Sequence, residues 1–231
     1  MKPSSLFKSL ALAVGILAAG TAAANPITLG TQVEISDSSP YGPSNLNKPS
    51  TVITVNGVNK TVRAGLFDLN ATTVPGGSYV RLLAFCLQPD VQLSPYDNPY
   101  TAVDLDGAGV ALDPLGISKL WAEYRDDVVS GVTAAAFQLA VWELAYDGDT
   151  DLTDGDFRAA GAAGSAAATA QGWLSSLANL TKEAPNLFVL QDNQGGYDRQ
   201  DLLIQTPIPG TLGLVGLGLL GLGALRRKVK E

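Results

Sequence analysis

Three groups of residues in this chain carry side chains able to do chemistry. Cys86 is its single cysteine, and a thiol behaves as a small hydrophobe unless its surroundings activate it. Gln138 is the lone amide in residues 133–144, a stretch apolar almost all round, with Val141 and Trp142 three and four places on. On a helix those neighbours put the amide on an apolar, aromatic strip. Leaving it there without partners costs about 1–3 kcal/mol, so on an inward face something must engage it. The third group is Asp147, Asp149, Asp151, Asp154 and Asp156 on one short turn. Calcium takes oxygen ligands of this kind in flexible geometry. As an EF-hand loop starting at Asp147 the turn fails, with Leu152 at the glycine position and Arg158 at the closing glutamate position. A looser calcium site on Asp147, Asp149, Asp151 and Asp154 and a plain solvated loop both stay open. Asp104-Leu105-Asp106-Gly107 is a weaker instance of the same kind, and no other cofactor is implied.

The composition excludes more chemistry than it admits. There is no histidine among the 231 residues, which removes Ser-His-Asp and Cys-His triads and His-ligated zinc. One cysteine allows neither an intramolecular disulfide nor a CxxC site. The net charge of −7 argues against nucleic acid as a partner, since binding it needs a basic face. No acid/base pair stands out, and an enzyme is not expected.

Several elements must position these groups. Residues 51–55, then Asn56-Gly57, then 58–62 form a hairpin pattern. Residues 79–87 read as a strand, apolar enough towards its end to be buried on both faces. Pro89, Pro95 and Pro99 mark irregular chain after it. Helical patterning begins near Ile117, continues through 134–146 and ends in an Ala-rich helix over 165–180. Residues 186–190 and 200–204 look like two closing strands. The order predicts an α+β domain over 25–206: a mostly antiparallel β-sandwich or barrel-like sheet with an inserted helical subdomain. Those residues hold nine Lys and Arg against 21 Asp and Glu, a surface suited to solubility or divalent cations.

The ends follow other rules. Residues 1–24 read as a signal peptide, with Lys2 and Lys8, a short apolar run and Ala22-Ala23-Ala24 before Asn25. In residues 207–231, Pro207-Ile208-Pro209-Gly210 precedes a Gly/Leu-rich run ending in Arg226-Arg227-Lys228. That run is expected to form a C-terminal apolar helix, a transmembrane helix with its basic cluster on the cytoplasmic side. The order of motif, apolar span and basic tail resembles the PEP-CTERM sorting signal, with Ile208 where the family usually has Glu. The resemblance implies an exosortase-type processing enzyme acting at Pro207, Ile208 and Pro209. It also implies an exported protein, membrane-anchored through its C-terminus and then placed at the cell surface or in the extracellular matrix.

Phe85-Cys86 and Gln138-Leu139-Ala140-Val141-Trp142 resemble the Cys–Gln thioester domains of bacterial surface adhesins, with Phe137 where that family usually has Thr. The resemblance implies that the Cys86 sulfur attacks the Gln138 carbonyl and releases ammonia. Phe85, Trp142 and Tyr146 would shield the bond, and an amine-bearing surface or matrix polymer would open it. Adhesion or covalent attachment is the function this implies. A non-covalent structural protein of the surface or extracellular polymer, with an inert Cys86 and Gln138, is the alternative.

Overall fold

A computed structural model describes residues 27–36, 49–73, 79–91, 99–109, 112–192 and 199–206. Nine strands and three helices follow in chain order. They are β1 (Gln32–Ser36), β2 (Ser50–Val55), β3 (Val58–Arg63), β4 (Phe67–Thr72), β5 (Val80–Cys86), β6 (Tyr100–Asp104), α1 (Pro114–Tyr124), α2 (Gly131–Tyr146), β7 (Phe157–Arg158), α3 (Ala166–Ser176), β8 (Leu187–Asp192) and β9 (Leu202–Gln205).

Six strands close an antiparallel barrel in the order β1-β4-β5-β9-β8-β6, and β3-β2-β7 form a separate three-stranded sheet. Of the sandwich and the barrel-like sheet that the sequence leaves open, the structure shows the barrel, closed so that its main sheet has no free edge strand. The ladder fixes which side chains face the lumen. Cys86 pairs with Leu202, Leu202 with Leu190, and Leu190 with Ala102. Paired residues point to the same face, so these four all face the interior, and all are buried. On β5, Leu82 and Ala84 share that face, whereas Phe85 points outward into the helical layer. A six-stranded barrel is narrow, and its side chains fill it.

The second sheet starts from the Asn56-Gly57 hairpin. Both turn residues have positive φ, 51° and 77°, and Val55 pairs directly with Val58. A two-residue turn of this kind matches strand twist, and glycine takes the conformation without a Cβ clash.

The helices lie between β6 and β8 in the chain, and each has a side-chain cap. Asp113 accepts from the Gly116 N–H, with Pro114 opening α1. Ser130 and Thr133 make a reciprocal capping box on α2, and Ser165 caps α3. Residues 134–145 of α2 are all buried, because α1, α3, β5 and β7 surround the helix. Its all-round apolarity is therefore a property of the core.

The C-terminal apolar helix is a correction. Among the described residues no helix is long and apolar enough to cross a membrane. The longest, α2, has 16 residues, about 24 Å, and spends its apolar surface inside the domain. Residues 207–231, where the transmembrane helix and the Pro207, Ile208 and Pro209 motif were expected, lie outside the described residues, as does the signal peptide over 1–24. The membrane as a partner and anchoring through the C-terminus are withdrawn with that helix.

Candidate functional site

Cys86 ends β5 and Gln138 lies in the middle of α2, 52 residues on, yet the fold brings them together. The Cys86 N–H donates to Gln138 Oε1 at 2.9 Å. Gln138 Nε2 donates to the Cys86 carbonyl at 2.6 Å. Cys86 is 1% exposed and Gln138 0%. The register explains the contact. Strand β4 pairs with β5 from Ala71↔Val80 to Phe67↔Ala84 and goes no further. The next outward-pointing N–H and C=O on that edge belong to Cys86, and the Gln138 carboxamide occupies the place β4 has vacated. Leu87 N–H, pointing the other way, donates to the Asp201 carbonyl on the β9 side. The buried amide is thus satisfied through main chain, and its demand for a partner was legible in the sequence.

The orientation has a chemical consequence. Two hydrogen bonds to the N–H and C=O of one strand residue hold the carboxamide close to the plane of the sheet. Its π faces then look to the two sides of the sheet, and the Cys86 side chain leaves on one of those sides, towards the lumen. The Cys86 N–H, meanwhile, polarises the carbonyl in the manner of an oxyanion-hole donor.

The expected shield is divided between two aromatic groups. Phe85 packs on the outer face against Phe137, with ring centroids 4.6 Å apart, and meets Trp121 edge-on at 5.8 Å. The Arg125 guanidinium lies 5.9 Å from the Phe85 ring centre, and burial lowers its pKa. Phe137, at the family's Thr position, is part of this wall. Trp142 and Tyr146 instead approach Phe157 of the second sheet at 6.0 and 6.3 Å. Tyr146 donates to Asp90, tying α2 to the chain just after Cys86. Burial, with this bond to a carboxylate, pushes the Tyr146 phenol up. Trp142 is buried, and its Nε1–H finds no hydrogen-bond partner among the described residues.

The acidic turn resolves as a backbone cap. Asp147 accepts from the Asp156 and Phe157 N–H groups, Asp149 from Asp151, Asp151 from Thr153 and Asp154 from Gly155. The Thr153 hydroxyl and N–H hold Asp151 below its ordinary pKa. Among the described residues no three His, Cys, Asp or Glu side chains are grouped to hold a metal ion.

Two features were missed in the sequence. Glu143 on α2 is fully buried: as a carboxylate its oxygens meet no donor among the described residues, and as a protonated carboxyl it hydrogen-bonds Asp149. Burial, then Asp149, Asp147 and Asp151, push it up to about 9. An acid within an all-round apolar helix was the available signal. The second feature is a buried polar group at the Cys86 end of the barrel. Arg199 pairs with Asp192 at 2.6 Å, Gln88 donates to Asp201, and Gln200 donates to the Gln88 carbonyl. Tyr100 lies beneath Arg199, whose guanidinium is 4.6 Å from its ring centre. Local patterning contains nothing that gathers these residues.

Fold and site together define a helix-covered six-stranded barrel with a sealed strand-to-helix Cys–Gln contact. Compared with known protein families, curated proteins and solved structures, the chain matches none.

Proposed function

We propose that the domain is a covalent-attachment module that carries a Cys86–Gln138 thioester and uses it to join an amine-bearing surface or matrix polymer. The observation that supports this reading most directly is the seating of the buried Gln138 carboxamide on the main-chain N–H and C=O of Cys86, the residue that bears the thiol. Attack of a thiol on an unactivated amide is slow. Holding the reactants in place supplies effective molarities of about 10⁵–10⁸ M, and the polarising N–H adds to that. The Sγ–Cδ bond forms and the Cδ–Nε2 bond breaks. The departing nitrogen takes the thiol proton and leaves as ammonia. A primary amine then attacks the thioester, forms an amide at Gln138 and returns the thiol. Neither step needs a histidine or a metal.

A second reading gives the same two hydrogen bonds a structural task alone. It is favoured by the early end of β4, which leaves the Cys86 N–H and C=O in need of partners wherever α2 docks. Intact mass of the folded chain separates the two. A chain lighter by one ammonia, restored in Cys86→Ser and shifted by methylamine addition, supports the thioester. An unmodified mass in the native protein, unchanged by methylamine, leaves the structural reading.

A further inference from the structure

Tyr100 is 1% exposed, and its hydroxyl has no hydrogen-bond partner among the described residues. Such a group costs about 1–3 kcal/mol, and phenylalanine would fill the same space without that cost. Its position gives the hydroxyl a task. Tyr100 and Ala102 alternate on the lumen face of β6, and the ladder from Cys86 through Leu202 and Leu190 ends at Ala102. Strands β5 and β6 lie three places apart in either direction around the ring, so they face each other across the lumen. Ala102 ends that ladder, and Tyr100 stands two residues along the same face, at the end of β6 that lies with the Cys86 end of β5. Tyr100 and Cys86 are also within electrostatic reach of one another, along with Arg199, Asp192 and Asp201.

We propose that the Tyr100 hydroxyl is the hydrogen-bond donor that stabilises the Cys86 sulfur as its thiolate, making Tyr100 a catalytic residue of the thioester-forming step. This rests on the thioester reading above. A neutral thiol is a weak acceptor, and a thiolate is a strong one, so the bond is realised as negative charge develops on sulfur. The Arg199 guanidinium above the ring polarises the phenol in the same direction. Burial pushes Tyr100 up to about 12, so it keeps its own proton throughout. The thiol proton still ends on the departing ammonia, and no co-reactant is needed.

The test is Tyr100→Phe in the full chain, with two readouts. The first is the rate at which ammonia is lost after refolding, followed by intact mass. The second is the thiolate fraction of Cys86 from the ultraviolet absorbance of the thiolate, read against a Cys86→Ser blank that subtracts the tyrosines. It is taken after methylamine treatment, which leaves a thiol at Cys86 whether or not a thioester had formed. Tyr100→Phe is expected to slow ammonia loss about tenfold and to lower the thiolate fraction at a given pH by a similar factor, the effect of losing one hydrogen bond to a charged group. Its melting temperature is expected to be unchanged or raised, since the deleted hydroxyl was unsatisfied. A purely structural Tyr100 would change neither chemical readout, and superimposable thiolate titrations overturn the proposal. If wild-type protein loses no ammonia, the thioester reading fails on its own, and the thiolate comparison still decides whether Tyr100 donates to sulfur.

Discussion

Replacing Glu143 by Gln should stabilise the domain in a pH-dependent way, and the size follows from the burial of that carboxyl. Its pKa is raised from 4.5 to about 9 in the folded chain. The folded state therefore holds this proton more tightly than the unfolded state does. The group's contribution to stability is fully present below about pH 4.5 and is lost as pH rises towards 9. Within that window the slope is one proton, about 1.4 kcal/mol per pH unit. At pH 8 the wild-type chain must keep Glu143 protonated or bury its charge beside Asp149, at a cost of about 4–5 kcal/mol relative to pH 4.5. At pH 5 the same cost is under about 1 kcal/mol. Glutamine keeps the shape, carries no titration and can donate to Asp149. Urea unfolding of both proteins, followed by tryptophan fluorescence, reads the difference directly, and contributions from other carboxylates cancel in it. The variant should match wild type within about 1 kcal/mol at pH 5 and exceed it by about 4–5 kcal/mol at pH 8. A difference that is the same at both pH values, or a wild type more stable at pH 8, refutes the reasoning.

Two further substitutions probe the frame around the site. Gly155 has φ of +85°, and a Cβ there would stand 2.2 Å from Asp147 Oδ2. Gly155→Ala should thus cost about 1–3 kcal/mol of stability in urea unfolding by straining the acidic turn, and a neutral result would show that Asp147 does not hold the turn. Phe137→Ala removes the ring between Phe85, Trp121 and Trp173 and should cost about 3–5 kcal/mol, with a change in tryptophan emission. A loss below about 1 kcal/mol would mean that the helical layer collapses into the space.

What was legible in the sequence divides by range. The Asn56-Gly57 hairpin, β5, the three helices and the pair β8 and β9 announce themselves through local pattern, because turn chemistry and apolar period act over a few residues. Strand β6 does not. It is five residues long, follows the proline-rich stretch and is held by β1 and β8, at least 67 places away in β1 (Val33 with Tyr100) and at least 84 in β8 (Phe188 with Asp104). Two-residue β7 exists only because β2 pairs with it. Closure of the barrel is a sum of such distant pairings. The site shows the same split: Gln138 signals its need for a partner locally, whereas the identity of that partner depends on β4 stopping at Phe67. The Asp147 turn misleads in the other direction. Its carboxylates look like cation ligands in sequence, whereas in the fold Asp147, Asp149, Asp151 and Asp154 accept from N–H groups of their own turn.

The chemistry and the architecture of the Cys86–Gln138 contact share one cause. A helix side chain that completes a sheet edge must present a flat donor–acceptor pair, and a carboxamide is the side chain that does so without charge. Glutamate in its place would keep the acceptor for the Cys86 N–H but would leave the Cys86 carbonyl without a donor unless protonated. Leucine would leave both groups unpaired in the core. The structural demand thus selects a glutamine, and the same demand fixes its carbonyl carbon beside the Cα that bears the thiol. Once that edge is built, placing a cysteine at its end brings a nucleophile to an amide with no additional element of fold. The sulfur can then either pack in the lumen or react. Which of the two it does depends on what surrounds it there, and on that side Tyr100 carries a buried hydroxyl with no hydrogen-bond partner among the described residues.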